Sequence, residues 1–325
     1  MRVLVLGAAG FVGSRLVREL LRRADMPRAS GAVQIVASDL RPPRQPWPHA
    51  ARAELQFVAG NVLDPALFDT LFARPFDAVF HLAASLTFDA ETDFEQGMAV
   101  NVHALMRLLE HCRAQAVAPK FLFASSISSF GGVLPDVVDD FVFQTPQTSY
   151  GTHKAVAEQL INDYSRRGFI DGRVLRLPIV LTHPGPPSAS VSDRIAALIR
   201  EPLAGRDTVC PLAPDTRFAV ASVDKVVESL LALRDVPAGV FGASRALNLP
   251  ALTATPAQLV EAAVRRAPAG AGRVSWQQDQ QMQRVVEGWP AVFVSALARE
   301  LGIAGDQSAD EIVAAYLKEV RHGGA

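Results

Sequence analysis

Short apolar runs alternate with amphipathic stretches along roughly the first half of the chain. The runs lie at residues 3–6, 33–37, 55–58, 78–82, 121–124 and 174–177. Between most of them, at 12–22, 67–72, 100–113 and 151–166, apolar residues recur at helical spacing, as Leu16, Val17, Leu20 and Leu21 do. Apolar runs this short and unbroken suit strands buried on both faces. Strand and helix in alternation predict βαβ units, and so an α/β fold with a doubly wound parallel sheet. The last of these helices carries end signals: Thr148 or Ser149 can cap its start and Gly168 can end it.

After Pro178 the pattern loosens. Prolines at 184, 186, 187, 202, 211 and 214 punctuate the chain, around one helical segment at 192–200. A strand and helix return at 218–233, and 245–325 mixes short elements with Ala-rich helices. The Pro-rich stretch 41–48 reads as a surface loop. The expected organisation is a core of 1–178 and 214–244, with a smaller C-terminal lobe of 179–213 and 245–325 interleaved in sequence.

Composition narrows the function. Of 325 residues, 49% are hydrophobic and 20% charged, as in ordinary globular proteins. A net charge of −1 provides no bulk attraction for nucleic acid or an anionic membrane. Cys112 and Cys210 are too far apart for a CxxC motif, and the seven His form no ligand pattern, so no metal is expected. The first seven residues already read as a strand, and no apolar run of about 18 residues is present, so a cytoplasmic protein is expected.

Candidate chemistry begins at Gly7-Ala8-Ala9-Gly10-Phe11-Val12-Gly13, between the first strand and first helix. Glycines there let the backbone turn tightly and approach a pyrophosphate, which the helix N-terminus also favours. Asp39 ends the second strand, where a carboxylate accepts hydrogen bonds from an adenine ribose and repels a 2′-phosphate. That favours NAD over NADP; Arg41 and Arg44, close behind, argue the other way. Tyr150 and Lys154 stand at i and i+4, a pairing uncommon by chance in a chain with three Tyr and four Lys. A cation beside a phenol favours the phenolate, a general base for removing a proton from an alcohol. Ser125 and Ser126 end the strand that precedes Tyr150 by one loop, on the side of the sheet where ligands gather. A hydrolase is not expected, since no Gly-x-Ser-x-Gly turn is present.

Together, Gly7, Gly10 and Gly13, Asp39, His81-Leu82-Ala83-Ala84, Asn101, Ser126 and the Tyr150/Lys154 pair resemble the extended short-chain dehydrogenase/reductases. That family includes nucleotide-sugar epimerases and dehydratases. The resemblance implies a Rossmann-type NAD-binding core and a smaller substrate-binding lobe. It implies Tyr150 as acid/base, Lys154 on the nicotinamide ribose and Ser126 on the substrate hydroxyl. Asn61 and Val62 fall where the family contacts adenine, with Asn61 in place of the usual Asp. Leu82, Ala83 and Ala84 are expected to line the nicotinamide, and Pro178 to meet its carboxamide through the backbone. Asn101 is expected to be structural, and His81 and His153 likewise. A homodimer paired through 100–113 and 151–166 is also implied.

The later segments resemble one group within that family, the D-erythronate dehydrogenases. The segments are Pro184-Gly185-Pro186-Pro187, Arg200-Glu201-Pro202-Leu203-Ala204-Gly205, Cys210-Pro211-Leu212 and Gly288-Trp289-Pro290. This implies oxidation of a 2-hydroxy sugar acid at C2. His183 stands where that group often has Arg. Thr182, His183 and Arg217 are the candidate substrate contacts, Arg217 being suited to a carboxylate or a phosphate. The alternatives are an epimerase or dehydratase with tightly held NAD, and a non-catalytic NAD-binding protein.

Overall fold

The computed structural model describes residues 1–26, 32–181, 190–267 and 270–323. Six strands come first: β1 (Arg2–Leu6), β2 (Val33–Asp39), β3 (Ala53–Ala59), β4 (Ala78–His81), β5 (Lys120–Ser126) and β6 (Asp171–Leu177). Six more follow: β7 (Ile179–Leu181), β8 (Thr208–Cys210), β9 (Phe218–Ser222), β10 (Ala246–Asn248), β11 (Leu252–Ala254) and β12 (Val274–Trp276). The central sheet has the order β10-β6-β5-β4-β1-β2-β3. β1 pairs in parallel with β2 and β4, β2 with β3, and β4 with β5. The order reverses beside β1, which marks the switch point where such sheets bind ligands. The α/β, Rossmann-type expectation is met.

Parallel strands need crossovers, and helices supply them. They are α1 (Phe11–Ala24), α2 (Pro65–Leu71), α3 (Thr87–Thr92), α4 (Phe94–Met98), α5 (Ala104–Arg113) and α6 (Ser149–Arg166). A π-helical turn, Ala99–His103, joins α4 to α5. α1 buries Gly13, Leu16, Val17, Leu20, Leu21 and Ala24, the stripe that the sequence spacing predicts. Leu4, Leu6, Val79, Phe121 and Phe123 share one core with Leu105, Leu108, Ala157 and Ile161. Each fully buried Leu or Phe there contributes roughly 1.5–3 kcal/mol. The remaining helices are α7 (Val191–Leu203), α8 (Val223–Asp235), α9 (Pro256–Arg266), α10 (Gln280–Glu287), α11 (Ala296–Glu300) and α12 (Ala309–Gly323).

The chain divides into two compact units. The first comprises Met1–Ser125, Thr148–Leu175 and Leu230–Leu247; the second comprises Ser126–Gln147, Arg176–Ser229 and Asn248–Ala325. The NAD-binding core and substrate-binding lobe expected from sequence, divided at 178, 213 and 244, are a functional division and remain a proposal; the compact units are a division by packing. The main difference is 126–147, a loop that belongs to the second unit. It does so because Ile127, Phe130 and Val138 bury themselves with Ala219 and Phe293. Val138 also exchanges backbone hydrogen bonds with Val292 and Val294, at 2.9 and 3.0 Å. Among the described residues no helix is long and apolar enough to cross a membrane. No cluster of three His, Cys, Asp or Glu among them is placed to hold a metal ion.

Candidate active site

The turn from β1 into α1 is shaped by its glycines. Gly7 has φ +79°, and a Cβ there would lie 2.6 Å from the Ala83 nitrogen and 2.8 Å from the Leu82 carbonyl carbon. A Cβ at Gly13 would lie 2.0 Å from the Gly7 oxygen. The loop therefore packs backbone against backbone, a spacing no side chain allows. Gly10 is the N-cap of α1, and no side chain caps that end. An uncapped helix start beside a tight glycine turn suits an anion. Asp39, at the end of β2, accepts a hydrogen bond from the Ala9 nitrogen at 2.9 Å and one from Leu40 at 2.7 Å. Its carboxylate thus ties β2 to the glycine turn, one bond to each oxygen, and keeps further acceptor capacity for ribose hydroxyls. These residues fit NAD: backbone-on-backbone packing holds the glycine turn tight, no side chain caps the helix start beside it, and a carboxylate stands at the end of β2.

α6 starts at the N-cap Thr148, whose Oγ1 accepts from the Gly151 nitrogen at 3.1 Å. That cap sets Tyr150 in the first turn, half-buried, with Lys154 one turn on. Lys154 is 4% exposed. Its ammonium donates to the Ala124 carbonyl at 2.7 Å and lies 4.5 Å from the Phe123 ring centroid and 5.4 Å from that of Tyr150. Burial pulls its pKa down to about 7, while Glu158 pulls the other way. His81, at the end of β4, stacks on Phe123 at 5.7 Å. Burial, with Lys154 adding to it, pushes His81 down to about 3. His81 is therefore neutral, and its Nδ1 has no hydrogen-bond partner.

The family profile for the NAD dependent epimerase/dehydratase family matches residues 3–236. The chain belongs to that family. Among its members, a D-erythronate dehydrogenase of Cupriavidus necator is 40% identical over 320 residues, 98% of this chain and 98% of its own. A D-erythronate dehydrogenase of Haemophilus influenzae is 31% identical over 319 residues, 98% of this chain and 99% of its own. A crystal structure described as a nucleoside-diphosphate-sugar epimerase of Agrobacterium tumefaciens matches with a TM-score of 0.89 at 32% identity. It covers 99% of this chain and 95% of its own.

Within this family member, the other candidate residues fall as follows. Ser126 is buried and closes β5; its Oγ accepts from the Ser128 nitrogen at 3.1 Å and donates to the Ser128 hydroxyl at 3.1 Å. Side chains alternate along a strand, so Ser125 faces the other way and donates its hydroxyl to Glu158. Asn61 Oδ1 accepts from the Leu63 nitrogen at 3.0 Å, which leaves its amide N–H₂ at an exposed turn. Val62 packs on the core of the first unit. Leu82, Ala83 and Ala84 are half-buried just beyond β4, and Pro178 is buried between β6 and β7. Arg217 is exposed immediately before β9. Thr182 and His183 lie outside the described residues. Ser190 and Ser192 bond each other at 3.4 Å, and Ser190 caps α7 by accepting from the Asp193 nitrogen.

Two features go beyond the sequence reading, which expected Asn101 to be structural but gave it no partners and did not name Glu158. Asn101 sits in the π-helical turn, where its Oδ1 accepts from Ser85 N and its Nδ2 donates to Ser85 O, each at 2.9 Å. That pair fixes the amide, so the 3.2 Å contact from Nδ2 makes His153 Nδ1 an acceptor and places its proton on Nε2. A π turn has no periodic sequence signature. The second feature is Glu158, buried on α6 at 3% exposure. Its position, four residues past Lys154, was a readable signal.

Proposed function

We propose that this NAD-dependent enzyme oxidises a 2-hydroxy sugar acid at C2, D-erythronate to 2-oxo-erythronate. The observation that carries this reading is the 40% identity to a D-erythronate dehydrogenase along 98% of both chains. The buried Lys154 beside Tyr150 supports the same chemistry from the residues alone. Bound NAD supplies the acceptor for the C2 hydride.

The chain's own residues hold and move the rest. Gly7, Gly10, Phe11, Val12 and Gly13 cradle the pyrophosphate at the start of α1. Asp39 accepts from the adenine ribose, and Asn61 and Val62 meet the adenine. Leu82, Ala83, Ala84 and the Pro178 backbone bound the nicotinamide. Tyr150, as phenolate, takes the C2 hydroxyl proton onto its oxygen. Lys154 keeps that phenolate accessible near neutral pH by its charge and reaches the nicotinamide ribose. Ser126 orients the hydroxyl. Arg217, with Thr182 and His183, receives the carboxylate and polyol end.

The test is NADH formation across C3–C6 sugar acids, with NAD and NADP in parallel. Strong turnover of D-erythronate with NAD is expected. Turnover of neutral sugars alone, or of no acid, would overturn the substrate assignment. Preference for NADP would instead implicate Arg41 and Arg44, both exposed just past β2. The similarity to a nucleoside-diphosphate-sugar epimerase favours a second reading, in which NAD stays bound and is regenerated each cycle. Stoichiometric NAD in the purified protein, without net NADH from any acid, would select it. We also propose a homodimer paired through α5 and α6, whose Met106 and Val156 are exposed large apolar side chains. Sedimentation velocity giving a monomer would remove that part.

A further inference from the structure

Three residues of α6 share one face at successive turns: Tyr150, Lys154 and Glu158. The first two belong to the chemistry proposed above. The third has no part in it, yet Glu158 is a carboxylate only 3% exposed. A buried carboxylate is costly unless it is paired and hydrogen-bonded. Glu158 receives a short hydrogen bond from the Ser125 hydroxyl. The preceding residue of β5, Ala124, receives the Lys154 ammonium on its carbonyl. Adjacent residues of one strand therefore hold the cation and the anion of one helix face.

We propose that Glu158 is a positioning residue: the carboxylate that Ser125 holds on the buried face of α6 keeps Lys154 a cation against Tyr150. Its opposite charge, one helical turn away, offsets the desolvation of the ammonium, which carbonyl and ring contacts alone do not neutralise. The titratable groups around Lys154 are few among the described residues. On α6 they are Tyr150, Glu158 and His153, and the Nδ1 of His153 is turned to Asn101. On β4 there is His81, which is neutral. β5 presents the Phe123 ring, the Ala124 carbonyl and the Ser125 hydroxyl, none of them charged. Glu158 is the anion in that set, and its pull on Lys154 is upward.

The test is direct titration of Lys154 by NMR in protein labelled with 13C at the lysine ε-carbon. The chain has four Lys, so the spectrum is simple, and Lys154→Arg assigns the signal. Glu158→Gln is expected to lower the Lys154 midpoint by about one pH unit or more. Glu158→Asp, which keeps the charge, should restore most of the shift. An unchanged midpoint in Glu158→Gln overturns the proposal. If that variant does not fold, Ser125→Ala decides in the same way. Without its hydrogen bond the carboxylate is no longer held on that face of α6, and the Lys154 midpoint should fall, though by less. The titration needs no substrate, so it stands even if no sugar acid is oxidised. Where activity is found, the rising limb of the pH–kcat profile should move to higher pH in Glu158→Gln. A kcat lowered equally at all pH, with the limb in place, marks a merely structural role and also overturns the proposal.

Discussion

Tyr150 carries the sharpest expectation at the scale of single residues. Tyr150→Phe keeps the ring and the start of α6 but removes the oxygen proposed to take the proton. Turnover should fall by about 10²- to 10⁴-fold, the usual worth of a positioned base, with NADH affinity within a few-fold. Stopped-flow kinetics and NADH fluorescence titration check the two halves; near-normal kcat would refute the role. Gly7 makes a second case. Gly7→Ala forces a positive φ on a side chain and drives its Cβ to 2.6 Å from the Ala83 backbone. The variant should lose NAD affinity and melt at lower temperature, both measurable by thermal shift with and without NAD. The spacing of Tyr150 and Lys154 was legible because a helix converts i, i+4 into contact. The separate tasks of Ser125 and Ser126 were not, since both are small, polar and good turn formers.

At the scale of elements, the C-termini of α6 and α8 are held in two different ways. α6 ends where it was expected to: Gly168 has φ +72°, and Phe169 N bonds the Tyr164 carbonyl at 2.9 Å. The C-terminus of α8 is held differently. Arg173 on β6 is 1% exposed; it donates to the carbonyls of Leu233 and Arg234 and pairs with Asp171 at 2.6 Å. A cation at a helix C-terminus meets the negative end of its dipole. Arg173→Ala removes the donor to the Leu233 carbonyl, while Lys120 still reaches the Arg234 carbonyl at 2.8 Å and Arg245 the Asp171 carboxylate at 3.3 Å. It should cost about 1–3 kcal/mol, the penalty of a buried acceptor left unsatisfied, read from urea midpoints. A loss under about 0.5 kcal/mol, the level of an ordinary surface substitution, would refute the anchoring role. Nothing in the sequence separates Arg173 from the other Arg residues. Its burial follows from which strand lies beside α8, and that is a property of the assembled sheet.

At the scale of the whole molecule, stability should depend on pH through two buried bases. His81 is neutral in the fold, with a pKa of about 3, but near 6.5 when unfolded. Its contribution is complete above pH 6.5 and is lost as pH falls toward 3. Between pH 7 and 5 that amounts to about 2 kcal/mol. His81→Phe should flatten the slope over that range, and an unchanged slope would refute it. Lys154, at about 7 in the fold against 10.5, acts in the same sense in a higher window. The Lys154 contribution should therefore rise with pH above 7, until near pH 9 the buried thiols of Cys112 and Cys210, which burial pushes up, begin to oppose it. NAD links to the same balance: at 100-fold over its Kd it should add about 2.7 kcal/mol, and NAD without effect on the melting temperature would argue against the glycine cradle.

The sequence by itself determined the sheet-and-helix alternation, the glycine turn, Asp39 and the Tyr150–Lys154 face. Each is a local pattern, and local backbone geometry turns such patterns directly into structure. Tertiary structure decided what depends on burial and on partners distant in sequence. It moved 126–147 into the second unit, because Phe130 and Val138 find their cover at Phe293. It locked Asn101 onto Ser85 and His153 through a π turn. It buried Glu158 beneath Ser125, 33 residues away, and so set an anion behind the lysine. A charge has its full effect only once water is excluded, and that exclusion is a property of the packed molecule rather than of the chain.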